Sequence, residues 1–324
     1  VPLVIEPPSD KPETPAAPKE PTPVPIISEY ETRIENAVFV PRDIVLDSAK
    51  LDAFLSALAG TSVNTVILEA KSESGLLSFS DATAAAFEAA EPDNAALKSA
   101  FSKVTAKKLA PVAAISCFRD NRAPRREQTL ACRTKNKVIW LDSNNITWLN
   151  PFVPKARTYI TTLISELYDI GFREVMLSNV SFPVVGKTSI LHYPDEASAT
   201  KQSAISTFLG EVKALAASKN GLRISAVFDD RTKKGETLPG GQALADFTSA
   251  FYRVYAPADG ADSAIFAKIN AIITDKNVLN RFVPIIKTDD TDDGLPAAIT
   301  AVRTGGRGVL LWSADGDYTA ALSK

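Results

Sequence analysis

The residues of this chain best suited to chemistry are charged groups at the ends of β-rich runs. The run NTVILEAK, 64–71, closes with Glu69 and Lys71. Both share parity with Ile67, so in a pleated strand the three side chains point the same way. Charged groups at alternate positions late in a strand are costly to bury unless paired. They form either an ion pair under a loop or a substrate-binding pair at the strand's open end. The run 110–118 leads into Arg119 and Asp120, and the run from Leu222 leads into Asp229 and Asp230. The run from Arg281 leads into Asp289, Asp290, Asp292 and Asp293, the last two placed to cap a helix starting near Gly294. Two carboxylates across a cleft are what glycoside hydrolysis needs, one as acid and one as nucleophile or base. Asp229 is the leading candidate because it ends its strand.

Other chemistries find less support. His192 is the single histidine, and there is no G-x-S-x-G elbow to pair with it. Two cysteines and one distant histidine do not make a zinc ligand set. No phosphate-binding glycine loop is present, and no metal or organic cofactor is expected. The three tryptophans are Trp140, Trp148 and Trp312. Trp312 ends the last β-rich run, where its face could stack on a sugar ring; ordinary packing is the alternative for each.

The elements that would position these groups alternate along the chain. β-rich runs at 37–45, 64–71, 110–118, 173–182, 222–230, 249–257, 281–288 and 308–314 are separated by helical stretches. Asp47 or Ser48 caps the first helix and Gly60 ends it. Later helices are expected near 93–108, 154–171, 201–221, 262–275 and 294–304, with a polar insertion at 119–150 that includes a small hairpin. Eight such units in about 290 residues fit a (β/α)8 TIM-type barrel, whose site lies at the C-terminal ends of the strands. An open doubly wound sheet would usually carry a glycine-rich turn after its first strand, and VPRDIVLDS has no glycine.

Residues 1–33 read differently. Nine of the 21 prolines fall within the first thirty positions, interleaved with Glu, Lys, Thr and Ala. Proline fixes φ and removes a donor, so an extended stalk or linker is expected there, followed by the barrel at 34–324. The chain opens on Val1, so an upstream signal or membrane anchor is expected to have been removed. The formal net charge of −2 gives no reason to expect nucleic acid. Cys117 and Cys132 flank one polar loop. They are either two separate buried thiols or a disulfide that would contribute about 3 kcal/mol.

The stretches NTVILEAKSESGLLSFS, PVAAISCFRDN, ITWLNPF and GFREVMLSNVSFP, in this order, resemble a bacterial family of glycoside hydrolase domains with an α-amylase-like barrel. The resemblance covers about 37–320. Its most specific pieces are Asn64, Val66, Ile67, Lys71 and Gly75, then Trp148, Asn150 and Pro151, then Gly171, Phe172, Phe182 and Pro183. It implies a barrel, a carbohydrate substrate and a place on the cell surface. Two departures stand out. The family's fourth strand ends in Asp-Tyr-x-Arg-Phe-Pro, where the Asp is the natural nucleophile; here Ser178 stands in its place. Glu69 also stands where Asp is usual.

The expectation is therefore a glycoside hydrolase-like barrel acting on or binding a polysaccharide or oligosaccharide. Asp229 and Glu69 are the catalytic candidates, and Lys71, Asp120, Asn179, Asp230 and Trp312 the substrate-binding ones. The alternative is an inactive glycan-binding or structural barrel of the cell envelope. An extracellular monomer, tethered to the surface through its stalk, completes the reading.

Overall fold

The computed structural model describes residues 35–194, 198–228, 240–257, 274, 279–288 and 308–322. The proline-rich segment, Asp229, Asp230, the acidic run after Thr288 and most of the last two expected helices lie outside them.

Eight parallel strands close into a barrel. They are β1 (Glu35–Val40), β2 (Thr65–Lys71), β3 (Ala110–Ser116), β4 (Glu174–Ser178), β5 (Arg223–Val227), β6 (Val254–Pro257), β7 (Phe282–Lys287) and β8 (Gly308–Trp312). Each pairs with its neighbour in sequence, and β8 pairs with β1. The (β/α)8 expectation holds. Closure depends on Gly308, which is opposite Glu35. Its φ is +77°, and a Cβ there would sit 1.9 Å from the Glu35 carbonyl oxygen, so only glycine fits.

The described helices include α1 (Ser48–Ala57), α2 (Ala95–Ala106), α3 (Pro154–Ile170), α4 (Lys201–Ser218) and α5 (Leu244–Ala250). Asp47 caps α1 by accepting from the amides of Ala49 and Lys50, both at 3.0 Å. The helix stops at Leu58, two residues short of the expected Gly60. Pro41 ends β1 early, and Arg42–Val45 forms a short helix where strand was expected. α5 takes the start of the expected sixth strand.

Strand parity divides the core in two. Val38, Val66, Leu68, Ala113, Ile115, Val175 and Leu177 face outward and pack under the helices. Ala37, Phe39, Ile67, Val112, Ala114, Met176, Tyr255, Val283, Ile285 and Leu310 face inward and fill the barrel. Such a barrel is a packed core, open to ligands only at its mouth. At the N-terminal end the filling is polar. Glu35 and Arg253 form an ion pair, Tyr255 Oη donates to Glu35, and Ser225 Oγ donates to Glu174.

Candidate active site

The C-terminal ends of the strands surround a cleft of about 260 Å³. All eight strands contribute to its lining, together with the loops after β2, β3, β4 and β5.

Glu69 lies in this cleft. Its Oε2 accepts from the Arg42 amide at 2.9 Å, a donor that Pro41 and the short helix after β1 bring alongside. Burial pushes the Glu69 carboxyl above its ordinary value. The Arg42 amide opposes the shift and the nearby Glu73 carboxylate adds to it. A raised carboxyl beside a second carboxylate is the environment of a general acid.

Lys71 does not point with Glu69. The β2–β3 register shifts between Glu69 and Lys71, and this irregularity breaks the expected alternation. Lys71 Nζ sits 2.9 Å from Asp120 Oδ2, with both side chains 0 % exposed. It also donates to the Ser116 carbonyl at 2.7 Å. Asp120 Oδ1 accepts from the amides of Arg122 and Ala123 at 2.8 and 3.0 Å. Lys71 and Asp120 were both expected to bind substrate; Lys71 lines the cleft, and its ammonium is paired with Asp120. A charge this deep depends on its counter-charge, since breaking such a pair leaves a buried ion uncompensated.

Above that pair a polar network forms one wall. Arg119 pairs with Glu73 and donates through Nε to Asp142 Oδ2 at 2.7 Å. Trp148 Nε1 donates to the same oxygen at 3.1 Å. Burial pushes the Asp142 carboxyl up, but Arg119, Trp148 and the amides of Ile146 and Asn144 outweigh it and hold the group below its ordinary value. Asn179, at φ +51°, donates to Glu73 Oε1 at 3.0 Å and to Ser116 Oγ at 3.1 Å. Its expected place at the mouth is occupied, and two of its bonds go to the protein itself.

The facing wall is aromatic. Trp312 stacks on Phe39 with centroids 3.7 Å apart and planes 12° from parallel. Both line the cleft, with exposed Lys287 next to them on β7. Trp148 also lines it, whereas Trp140 is buried packing that donates to the Lys187 carbonyl at 3.0 Å. Ser178, at the end of β4, reaches the cleft and donates only a long 3.4 Å bond to the Ile115 carbonyl. His192 is exposed in a two-residue ladder with Arg133 and takes no part.

The structure thus brings together Glu69, Lys71, Asn179 and Trp312 in one cleft, with Asp120 held behind Lys71. Asp229 and Asp230 lie outside the described residues, one and two positions beyond Phe228. The sequence reading missed Glu73, Asp142 and Phe39. Glu73 had a signal, a carboxylate two residues before Gly75 in a tight loop directly after a strand. Asp142 had one too, in the turn-forming stretch Asp-Ser-Asn-Asn. The disulfide is not formed: Cys117 and Cys132 are buried free thiols, and the Cys132 thiol donates to the Leu149 carbonyl at 3.4 Å.

The profile of a family described as "Putative glycosyl hydrolase domain" matches residues 37–254. Among solved structures, the PgaB (BpsB) glycoside hydrolase domain of Bordetella bronchiseptica superimposes with a TM-score of 0.63 at 12 % identity. That match covers 89 % of this chain and 96 % of the other. The glycoside hydrolase domain of PelA from Pseudomonas aeruginosa gives a TM-score of 0.51 at 15 % identity, covering 87 % and 96 %. A hypothetical protein from Ruminiclostridium thermocellum gives 0.52 at 18 % identity, covering 58 % and 96 %. At these identities the likeness is one of fold. No curated protein sequence matches.

Proposed function

The chain belongs to the glycosyl hydrolase domain family whose profile covers residues 37–254, and from that premise we propose that its cleft binds and hydrolyses a polysaccharide, with Glu69 as the proton donor. The observation that carries this reading is the Glu69 carboxyl itself. It stands in the cleft, raised by burial, held by the Arg42 amide and set against an aromatic wall. Hydrolysis needs a carboxylic acid that keeps its proton until the leaving oxygen takes it. Trp312, stacked flat on Phe39, is the surface for a sugar ring. Asp229 is the proposed second carboxylate, because it follows Val227, the end of β5, by two positions and barrel sites form at the C-terminal ends of the strands. Asp230 beside it is the proposed polar contact to substrate.

One observation favours a second reading, a glycan-binding barrel without hydrolysis. Ser178 ends β4, where the resemblance places a nucleophilic Asp, and a serine cannot stabilise a glycosyl intermediate as a carboxylate can. The proline-rich segment before the barrel fits a stalk that holds the domain away from a cell surface, and an extracellular place is part of the proposal.

The test is release of new reducing ends from a panel of cell-wall and storage polysaccharides. Hydrolysis is expected, with Glu69→Gln and Asp229→Asn each lowering the rate by about a hundredfold or more. Full activity in Glu69→Gln would remove Glu69 from the mechanism. Retention on a polysaccharide without any release would establish the binding barrel instead.

A further inference from the structure

Near the cleft, the loops after β2 and β3 border an open cavity of about 310 Å³, lined by Ser74, Asn121, Arg122, Arg125 and Arg126. Its place is fixed by the buried pair beneath it. Lys71 holds Asp120, and Asp120 Oδ1 accepts from the Arg122 amide at 2.8 Å, which sets the turn that presents Arg122. Gly75, at φ +85°, packs its backbone against this turn. A Cβ there would lie 2.4 Å from Asp120 Oδ1 and 3.0 Å from the Arg122 nitrogen. Any other residue would push Ser74 away from the arginines.

The local charge does not cancel. Glu88 neutralises Arg126 of the cavity itself, while Glu73 is committed to Arg119 and Glu127 to Lys155, which leaves Arg122 and Arg125 without a carboxylate among the described residues. Within the described residues, Arg125 donates only to neutral groups, the Asn121 side chain at 2.9 Å and the Asn145 carbonyl at 3.3 Å. Among the described residues, no acceptor meets the half-buried Arg122 guanidinium. The cavity adjoins the cleft through chain neighbours, since Glu73, Arg119 and Asn144 line the cleft while Ser74, Arg122 and the bond to Asn145 belong to the cavity. A polymer leaving the cleft across these loops would pass the arginines.

We infer that Arg122 and Arg125 form an anion subsite that binds an acidic substituent, carboxylate or phosphate, on the polysaccharide occupying the cleft. Guanidinium forks suit both oxyanions, since each presents two or more parallel donors to a planar or tetrahedral set of oxygens. The inference rests on the glycan-binding reading of the cleft and narrows its substrate to an acidic polymer.

The experiment is affinity electrophoresis of the full chain through gels carrying polygalacturonate, a glycerol-phosphate teichoic acid or neutral dextran. Retention by at least one anionic polymer is expected; which of the two retains the protein tells carboxylate from phosphate. The double variant Arg122→Gln, Arg125→Gln should weaken that retention by about tenfold, with dextran behaviour unchanged. The double variant Lys98→Gln, Lys107→Gln removes equal charge from exposed positions on and just after α2 and should leave retention as it was. Circular dichroism melts confirm that all variants fold. Equal weakening by both pairs, no effect of the arginine pair, or no retention on either anionic polymer overturns the inference. Reducing-end release separates it from the hydrolase reading. Arginine-dependent retention without release leaves the subsite standing and removes hydrolysis. Glu69-dependent release that the arginine pair does not alter removes the subsite alone.

Discussion

The two ends of the barrel each hold a half-buried carboxyl, and they use it in opposite ways. At the N-terminal end Glu174 is pushed up to about 7, by burial first and by the Glu35 carboxylate next. At the mouth Glu69 is pushed up by burial as well. The shift alone does not tell a site from a scaffold. The surroundings do. Glu174, half-buried like Glu69, accepts from Ser225, and the Glu35 carboxylate near it is held by Arg253 and Tyr255. Glu69 keeps one face on a cleft that a substrate can enter. The ion pairs divide in the same manner. Arg253–Glu35 and Lys71–Asp120 are buried, whereas Arg119–Glu73 borders the cleft with Glu73 half exposed.

The comparison breaks most visibly if the closed end is opened. Arg253→Met leaves Glu35 and Glu174 buried without their cation and should cost about 3–5 kcal/mol of stability, read by chemical denaturation. A cost below about 1 kcal/mol would mean that water reaches the cluster and that the end is not closed.

Glu174 then gives the pH signature of that end. Its ordinary value is 4.5 and its folded value about 7, so between these the unfolded chain has lost a proton that the folded chain keeps. Fewer protons bound in the unfolded state means stability falls as pH rises. The contribution is whole below pH 4.5 and gone above about 7. Thermal melts across this range should decline in the natural chain and flatten in Glu174→Gln. An unchanged slope in the variant would assign the pH dependence to another group.

The frame of this molecule is written in local pattern, and its site only partly so. Alternation of β-rich and helical runs located all eight strands, because each buried parallel strand is a short apolar block such as VILEAK or GVLLW. The ends were harder. Parity put Glu69 and Lys71 on one face, yet a register shift between them sent Lys71 to Asp120. No single-chain pattern shows such an irregularity, since it is settled by how β2 meets β3. Trp312 was legible because a terminal strand residue at a barrel mouth has little choice of direction. Its stacking on Phe39 was not, since residues 39 and 312 meet only when the barrel closes at Gly308.

At the mouth the expected effects are smaller and fall on binding. Trp312→Ala removes the outer ring of the stack and should weaken retention on a bound polysaccharide by about tenfold, in keeping with the worth of an aromatic face. Trp312→Phe should recover most of it. Retention unchanged in the alanine variant would make the Phe39–Trp312 stack packing only, like Trp140.

The smallest effect expected is none, and it distinguishes the closed interior from a cross-linked one. A disulfide between residues 117 and 132 would contribute about 3 kcal/mol, and its reduction would lower the melting temperature by several degrees. Cys117 and Cys132 are instead separate thiols, each wholly enclosed. Burial pushes both thiols well above their ordinary value, so neither forms the thiolate that oxidation requires at neutral pH. Dithiothreitol should therefore leave the melting temperature where it was. A thiol reagent should label both cysteines in denaturant and neither in the native protein. Labelling of the native chain would show that the interior beneath the polar insertion opens to solvent, and that the contrast between a sealed body and an accessible mouth is weaker than the packing implies.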